Sequence, residues 1–133
     1  MGEVMNCIKY DDFVNGMYDK KIDDLNFDKE TIDFWLTRNF YLQMIDISGE
    51  VDRLASLDEK DIEPQLKRIT GYLTIVRESR KNNFSKEVKK TLRIAEWELY
   101  DFYLWDNEFD NTSETVSGWF DQWLFNLNYD AVM

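Results

Sequence analysis

The chain of 133 residues contains no histidine, one cysteine (Cys7) and one proline (Pro64). Without imidazole there is no Ser–His–Asp triad, no Cys–His dyad, no haem histidine and no His-containing zinc or di-iron centre. One thiol excludes an intrachain disulfide and any cysteine-cluster metal site. The five glycines, at 2, 16, 49, 71 and 118, are isolated, so there is no Gly-rich loop to cradle a phosphate. No apolar run approaches the roughly 20 residues that span a bilayer. The opening Met1-Gly2-Glu3-Val4-Met5-Asn6-Cys7 has neither the basic nor the apolar region of a secretory leader. Asn6 stands where a myristoylation signal needs Ser or Thr. The expected location is the cytoplasm.

What is present is a good core former. Hydrophobic residues make up 44% of the chain and aromatics 16%, too much for a disordered segment. The length predicts one domain spanning 1–133, with residues 1–10 as a mobile N-terminus. Apolar spacing is helical nearly throughout, and no stretch alternates long enough for a strand. A first helix is expected at Asp11 to Asp24, with Val14, Met17, Tyr18 and Ile22 inward and Gly16 interrupting it. Asp28 is a natural N-cap for the second, with Phe27 and Ile32 as a hydrophobic staple. From there Ile32, Leu36, Phe40, Met44, Ile47, Val51 and Leu54 form one stripe along a long helix, with a bend at Gly49.

A loop over Ser56 to Asp61 leads to a third helix with Pro64 in its first turn and Ile62, Leu66, Ile69, Leu73 and Val76 inward. Ser85 caps a fourth, carrying Val88, Leu92, Ala95, Leu99 and Phe102. Asn111 and Glu114 resemble a capping box for a fifth, with Val116, Phe120, Trp123 and Leu127 inward. The predicted fold is all-α: a compact antiparallel bundle of about five helices in a single domain.

The net charge is −11, from 27 acidic and 16 basic side chains. It is not spread evenly. Residues 1–63 hold 16 acids and 7 bases, 64–95 hold 2 acids and 9 bases, and 96–133 hold 9 acids and no base. The basic block centres on a helical hairpin tip at 77–93, formed by Arg77, Arg80, Lys81, Lys86, Lys89, Lys90 and Arg93. Cations in the first turns of a helix oppose its dipole at roughly 0.3–1 kcal/mol each. They therefore call for a partner. One solution is internal, on the acids Asp46, Glu50 and Asp52 of the second helix; the other is external.

The segment 96–133 holds 11 of the aromatics among its nine acids. These rings either close the core or form an aromatic patch ringed by carboxylates, suited to a basic protein surface. Such a face repels phosphates, so direct contact with nucleic acid is not expected. The expected contact face comprises Glu96, Glu98, Asp101, Trp105, Asp106, Glu108 and Asp110, with Trp97 or Trp119 as anchors.

Catalysis would have to rest on carboxylates. The i, i+3 pair Glu98/Asp101 resembles half of the Mg²⁺ site of all-helical nucleotide pyrophosphohydrolases, but its counterpart, Asp58/Asp61, falls in a predicted loop. No enzyme, cofactor or metal is expected. The expectation is a small acidic inhibitor of a basic, nucleic-acid-handling protein: an immunity protein or antitoxin against a nuclease, or a phage anti-defence or anti-CRISPR protein. The alternative is a self-associating adaptor, a homodimer whose acidic and basic faces complement each other.

Overall fold

Three short polar side chains decide where helices begin. Asp28 accepts the backbone N–H of Thr31 at 2.8 Å, Asn39 that of Leu42 at 2.9 Å, and Ser85 that of Val88 at 3.2 Å. Each satisfies an amide that the first turn would leave without a partner. The computed structural model describes residues 8–80, 82–104 and 113–132. Among these the chain forms α1 (Tyr10–Val14), α2 (Lys29–Thr37), α3 (Phe40–Arg53), α4 (Glu59–Ser79), α5 (Lys86–Tyr103) and α6 (Ser113–Val132). Single 3₁₀ turns occupy Ile22–Asp24 and Leu54–Ser56, and no described residue is in a strand.

The predicted all-α bundle is the observed fold, with corrections at three joints. The long second helix is two helices. Arg38 is extended (φ −82°, ψ 144°), and Asn39 starts α3 afresh. The restart shifts the buried phase, so Trp35 is buried and Leu36, expected inward, is exposed. The first helix stops at Val14 rather than running to Asp24. Gly16 sits at φ +91°, where a side chain is strained, and turns the chain back. Phe13 and Val14 face inward there, whereas Met17 and Tyr18 are exposed. Finally, α4 begins at Glu59, which puts Pro64 in the second turn, where its ring removes one backbone donor. Helix α3 runs through Gly49 without a break. The Asn111/Glu114 capping box and Leu127 as an inward side chain lie outside the described residues, as does most of the expected N-terminal tail.

Helix α4 is the centre of the bundle, packing against α2, α3 and α5; α1 lies on α5, and α6 on α3 and α5. Its stripe of Leu66, Ile69, Leu73 and Val76 is fully buried, and from Gly71 to Arg77 every residue is buried. Leu92, Ala95 and Leu99 of α5 and Val116 and Phe120 of α6 complete the core.

Gly71 allows the closest approach in this packing. A Cβ there would lie 2.8 Å from Cε2 and Cζ of Phe27, whose ring stacks on Tyr72 at 5.1 Å. Overpacking typically costs 1–3 kcal/mol, against up to about 1 kcal/mol gained in helix propensity. Gly71→Ala is therefore expected to lose about 1 kcal/mol in urea unfolding. In a Phe27→Leu background, which gives up the Tyr72 stack at its own cost, adding Gly71→Ala should no longer destabilise; a stabilised single variant would contradict the contact.

Candidate functional site

Helix α5 carries the first half of the expected contact face, and it turns one member inward. Glu96 is buried, with 9% of its side chain exposed, and lies 3.8 Å (Oε1) from Nη1 of Arg77. It is a structural carboxylate and not part of an outward face. Trp97 packs edge-on to Tyr10 and Phe13 of α1, each at 5.4 Å between ring centres. Trp119 sits among Phe120 and Trp123, both at 5.9 Å. Both expected anchors are partly buried and engaged by other rings, closing the bundle. Glu98 and Asp101 are half-buried on α5. Trp105, Asp106, Glu108 and Asp110 lie outside the described residues.

The basic hairpin resolves into two populations. Arg77 and Arg93 converge on Asp19, the residue that the turn at Gly16 delivers. Nε of Arg93 donates to Oδ1 and Oδ2 of Asp19 at 3.1 and 3.0 Å, and Nη2 of Arg77 lies 3.7 Å from Oδ1. Arg77 has 5% of its side chain exposed and also donates to Oγ1 of Thr74 at 3.3 Å. Burial pushes the Glu96 carboxyl above its ordinary pKa, and Asp19 adds to this; Arg77, Arg93 and Lys20 oppose it. Burial also pushes the phenol of neighbouring Tyr100 up to about 12, with Glu96 contributing. The internal pairing expected for these cations is present, but through Asp19 and Glu96.

The acids of the second predicted helix serve other cations. Asp46 pairs with Arg38 at 2.8 Å, and Glu50 with Arg68 and Arg53. Asp52 instead faces Asp121 of α6. Its carboxyl is raised first by desolvation and then by that neighbouring charge, with Ser117 opposing, and Ser48 donates to Asp121. Arg80 donates to the carbonyl of Arg38 at 3.3 Å and lies over the ring of Phe40, so it too is used inside the fold. The second population, at the start of α5, is Lys86 and Lys90, which are exposed, and Lys89, which is half-buried, with no ion pair among the described residues. Lys81 lies outside the described residues.

Large apolar side chains are exposed at the other end of the sequence. Phe34, Leu36, Tyr41, Leu42 and Ile45 are 37–54% exposed on α2 and α3, with Tyr10, Met17 and Tyr18 on and after α1. One cation links the α2 and α3 positions. The guanidinium of Arg38 lies 5.0 Å from the ring of Phe34 and also holds Asp46, which is one turn from Leu42 and adjacent to Ile45. Asp33, Glu30 and Asp28 flank Phe34 on α2 and its cap, all exposed.

This surface went unread in the sequence, although a signal was there. Ten of the sixteen residues from Ile32 to Ile47 are large and apolar. One stripe of an amphipathic helix takes about half of its positions, so the surplus had to face outward. No group of three or more potential metal-ligating side chains is found among the described residues. No helix among them is long and apolar enough to cross a membrane. No family model matches the chain, and no curated protein or solved structure matches it either.

Proposed function

We propose that this chain is a non-catalytic protein-binding module that neutralises a basic, nucleic-acid-handling protein, as an immunity protein or antitoxin does against a nuclease, or a phage anti-defence protein against a host effector. The observation that carries this reading is the exposed apolar side chains of α2 and α3, Phe34, Tyr41, Leu42 and Ile45, flanked on α2 and its cap by Asp28, Glu30 and Asp33, the last paired with Lys29. Aromatic and aliphatic side chains supply the buried centre of an interface, and the acidic surround attracts Lys and Arg and accelerates encounter. A net charge of −11 acts in the same direction over the whole molecule. The anchors thus move from Trp97 and Trp119 to α2 and α3, while Glu98 and Asp101 stay as secondary acidic contacts.

The test is capture at low salt from the cells that produce the protein, followed by an activity assay of the captured partner. Support requires a basic nuclease or nucleic-acid-binding protein whose activity falls on stoichiometric addition of the purified chain. Truncating an interface anchor typically costs 2 kcal/mol or more. Leu42→Ala/Ile45→Ala is therefore expected to weaken the complex by about 30-fold or more, with little change in thermal stability because both side chains are already exposed. Unchanged affinity in this variant, or an acidic partner, would overturn the reading.

One observation favours the adaptor reading as the second choice: Lys86, Lys89 and Lys90 carry charge with no ion pair among the described residues, and the acidic apolar surface could receive them from a second copy. Sedimentation equilibrium across a salt series separates the two. A dimer that dissociates as salt rises, with no other protein present, selects self-association.

A further inference from the structure

A cleft of about 690 Å³ opens between the segment Tyr18 to Phe27 and the flank of α4, with Glu96 and Tyr100 of α5 also in its lining. We propose that this cleft binds a small ring-bearing anion, with the ring against Tyr18, Phe27 and Pro64 and the anionic group met by Lys20, Lys67 and Arg68. The volume falls within the range typical of small-ligand sites, roughly 300–1,000 Å³.

The charge of the lining points to an anion. In a chain of net −11, the cleft gathers four cations (Lys20, Lys67, Arg68 and Arg77) against two carboxylates, Asp24 and Glu96. Both carboxylates are already engaged. Asp24 accepts the backbone N–H of Lys21 at 3.0 Å, and Glu96 faces Arg77. Two of the three rim cations are loosely held. Lys67 reaches Glu63 at 3.8 Å with 73% of its side chain exposed, and Lys20 has no ion pair among the described residues. An exposed pair such as Lys67–Glu63 is worth at most about 1 kcal/mol, so exchanging it for a ligand anion costs little. Arg68 is held in place at the rim, 3.5 Å from the largely buried Glu50 and 5.6 Å over the ring of Tyr72, with 53% of its side chain exposed.

The inner wall is polar and pre-formed. The hydroxyl of Tyr100 donates to Oγ1 of Thr70 at 3.4 Å, and Oγ1 of Thr74 donates to the Thr70 carbonyl at 2.9 Å. Arg77 is buried there, and its Nη1 has no hydrogen-bond partner among the described residues. Opposite, the Phe27 ring is fixed by its stack on Tyr72 and its contact at Gly71. A flat apolar wall, a polar inner wall and a cationic rim select a planar ring joined to a carboxylate or a phosphate monoester.

The experiment is an amide-resonance titration of the full chain with adenosine 5′-monophosphate, uridine 5′-monophosphate, benzoate and indole-3-acetate, each to millimolar concentration, with adenosine and inorganic phosphate as controls. Saturable shifts at Lys20, Phe27, Thr70 and Thr74 are expected with at least one of the four anions. The controls, each lacking either the ring or the anionic group, should bind more weakly than the best of the four. Preference for the nucleotides assigns a phosphate, and preference for the other two a carboxylate. Lys20→Glu/Lys67→Glu alters only exposed side chains and is expected to lower affinity at least about tenfold, equivalent to about 1.4 kcal/mol. No saturable shift with any of the four, shifts mapping elsewhere, or affinity unchanged in the double variant would overturn the proposal.

Discussion

Arg77→Ala is expected to destabilise the fold by about 3–5 kcal/mol, the range observed when one partner of a buried ion pair is removed. The loss would come less from the missing attraction than from what is left behind. Glu96 would remain buried beside α4 with its principal cation gone. Asp19 would keep Arg93. Arg77→Met/Glu96→Leu removes both charges at similar volume and should recover most of the loss, because a well-packed apolar pair is often as stable as the ion pair that it replaces.

The pH dependence has a definite sign. The folded-state pKa of Glu96 lies above its unfolded value near 4.5, so the folded state holds the proton more tightly. The group's favourable contribution is complete below that value and is lost as pH rises through the folded pKa. Removing Arg77 takes away the strongest opposing influence and raises the folded pKa further. The penalty of Arg77→Ala should therefore shrink in acid, a trend that the double variant should lack. Urea unfolding of the three proteins on either side of pH 4.5 measures this. An equal penalty at every pH would show that Glu96 is not the group left stranded.

The stripe on α4 was legible because burial there follows the helical period: Leu66, Ile69, Leu73 and Val76 are spaced by three and four, and all are inside. Helix α5 was legible for the same reason, helped by Ser85 at its start. The joints were less so. Asn39 is a competent N-cap, but the apolar stripe crosses it without interruption, and periodicity alone cannot separate one bent helix from two. The candidate site was harder still. Glu96 reads as an acid at the head of an acidic segment, and only the turn at Gly16 brings Asp19 to the two arginines around it. That contact joins residues 74 positions apart, a distance at which local patterning carries no information. Aromatic density from residue 96 onward is ambiguous for a related reason: Trp97 and Trp119 pack against other rings, whereas the exposed apolar side chains follow from the apolar surplus on α2 and α3.

Trp35→Ala is expected to cost about 3–5 kcal/mol, as large aromatic truncations in cores do. Trp35 is 5% exposed and stacks on Tyr72 at 4.1 Å with the planes 15° apart, and Tyr72 stacks in turn on Phe27. The three rings tie α2 and the segment before it to the central helix. Such pairs contribute about 0.5–1.5 kcal/mol beyond burial alone, so Trp35→Phe, which keeps a ring, should lose much less. Phe34 is the control. It is the preceding residue, 54% exposed, and its described contact is with the Arg38 guanidinium. Phe34→Ala should change stability by no more than about 1 kcal/mol, yet weaken partner binding. Trp35→Ala should weaken binding only through loss of folded protein, so its affinity per folded molecule should match that of the unaltered chain. Urea unfolding and a binding titration on both variants separate stability from recognition at adjacent positions. If Phe34→Ala proved as destabilising as Trp35→Ala, α2 would present its rings to the core in a different phase, and the exposed surface assigned to recognition would be part of the core instead.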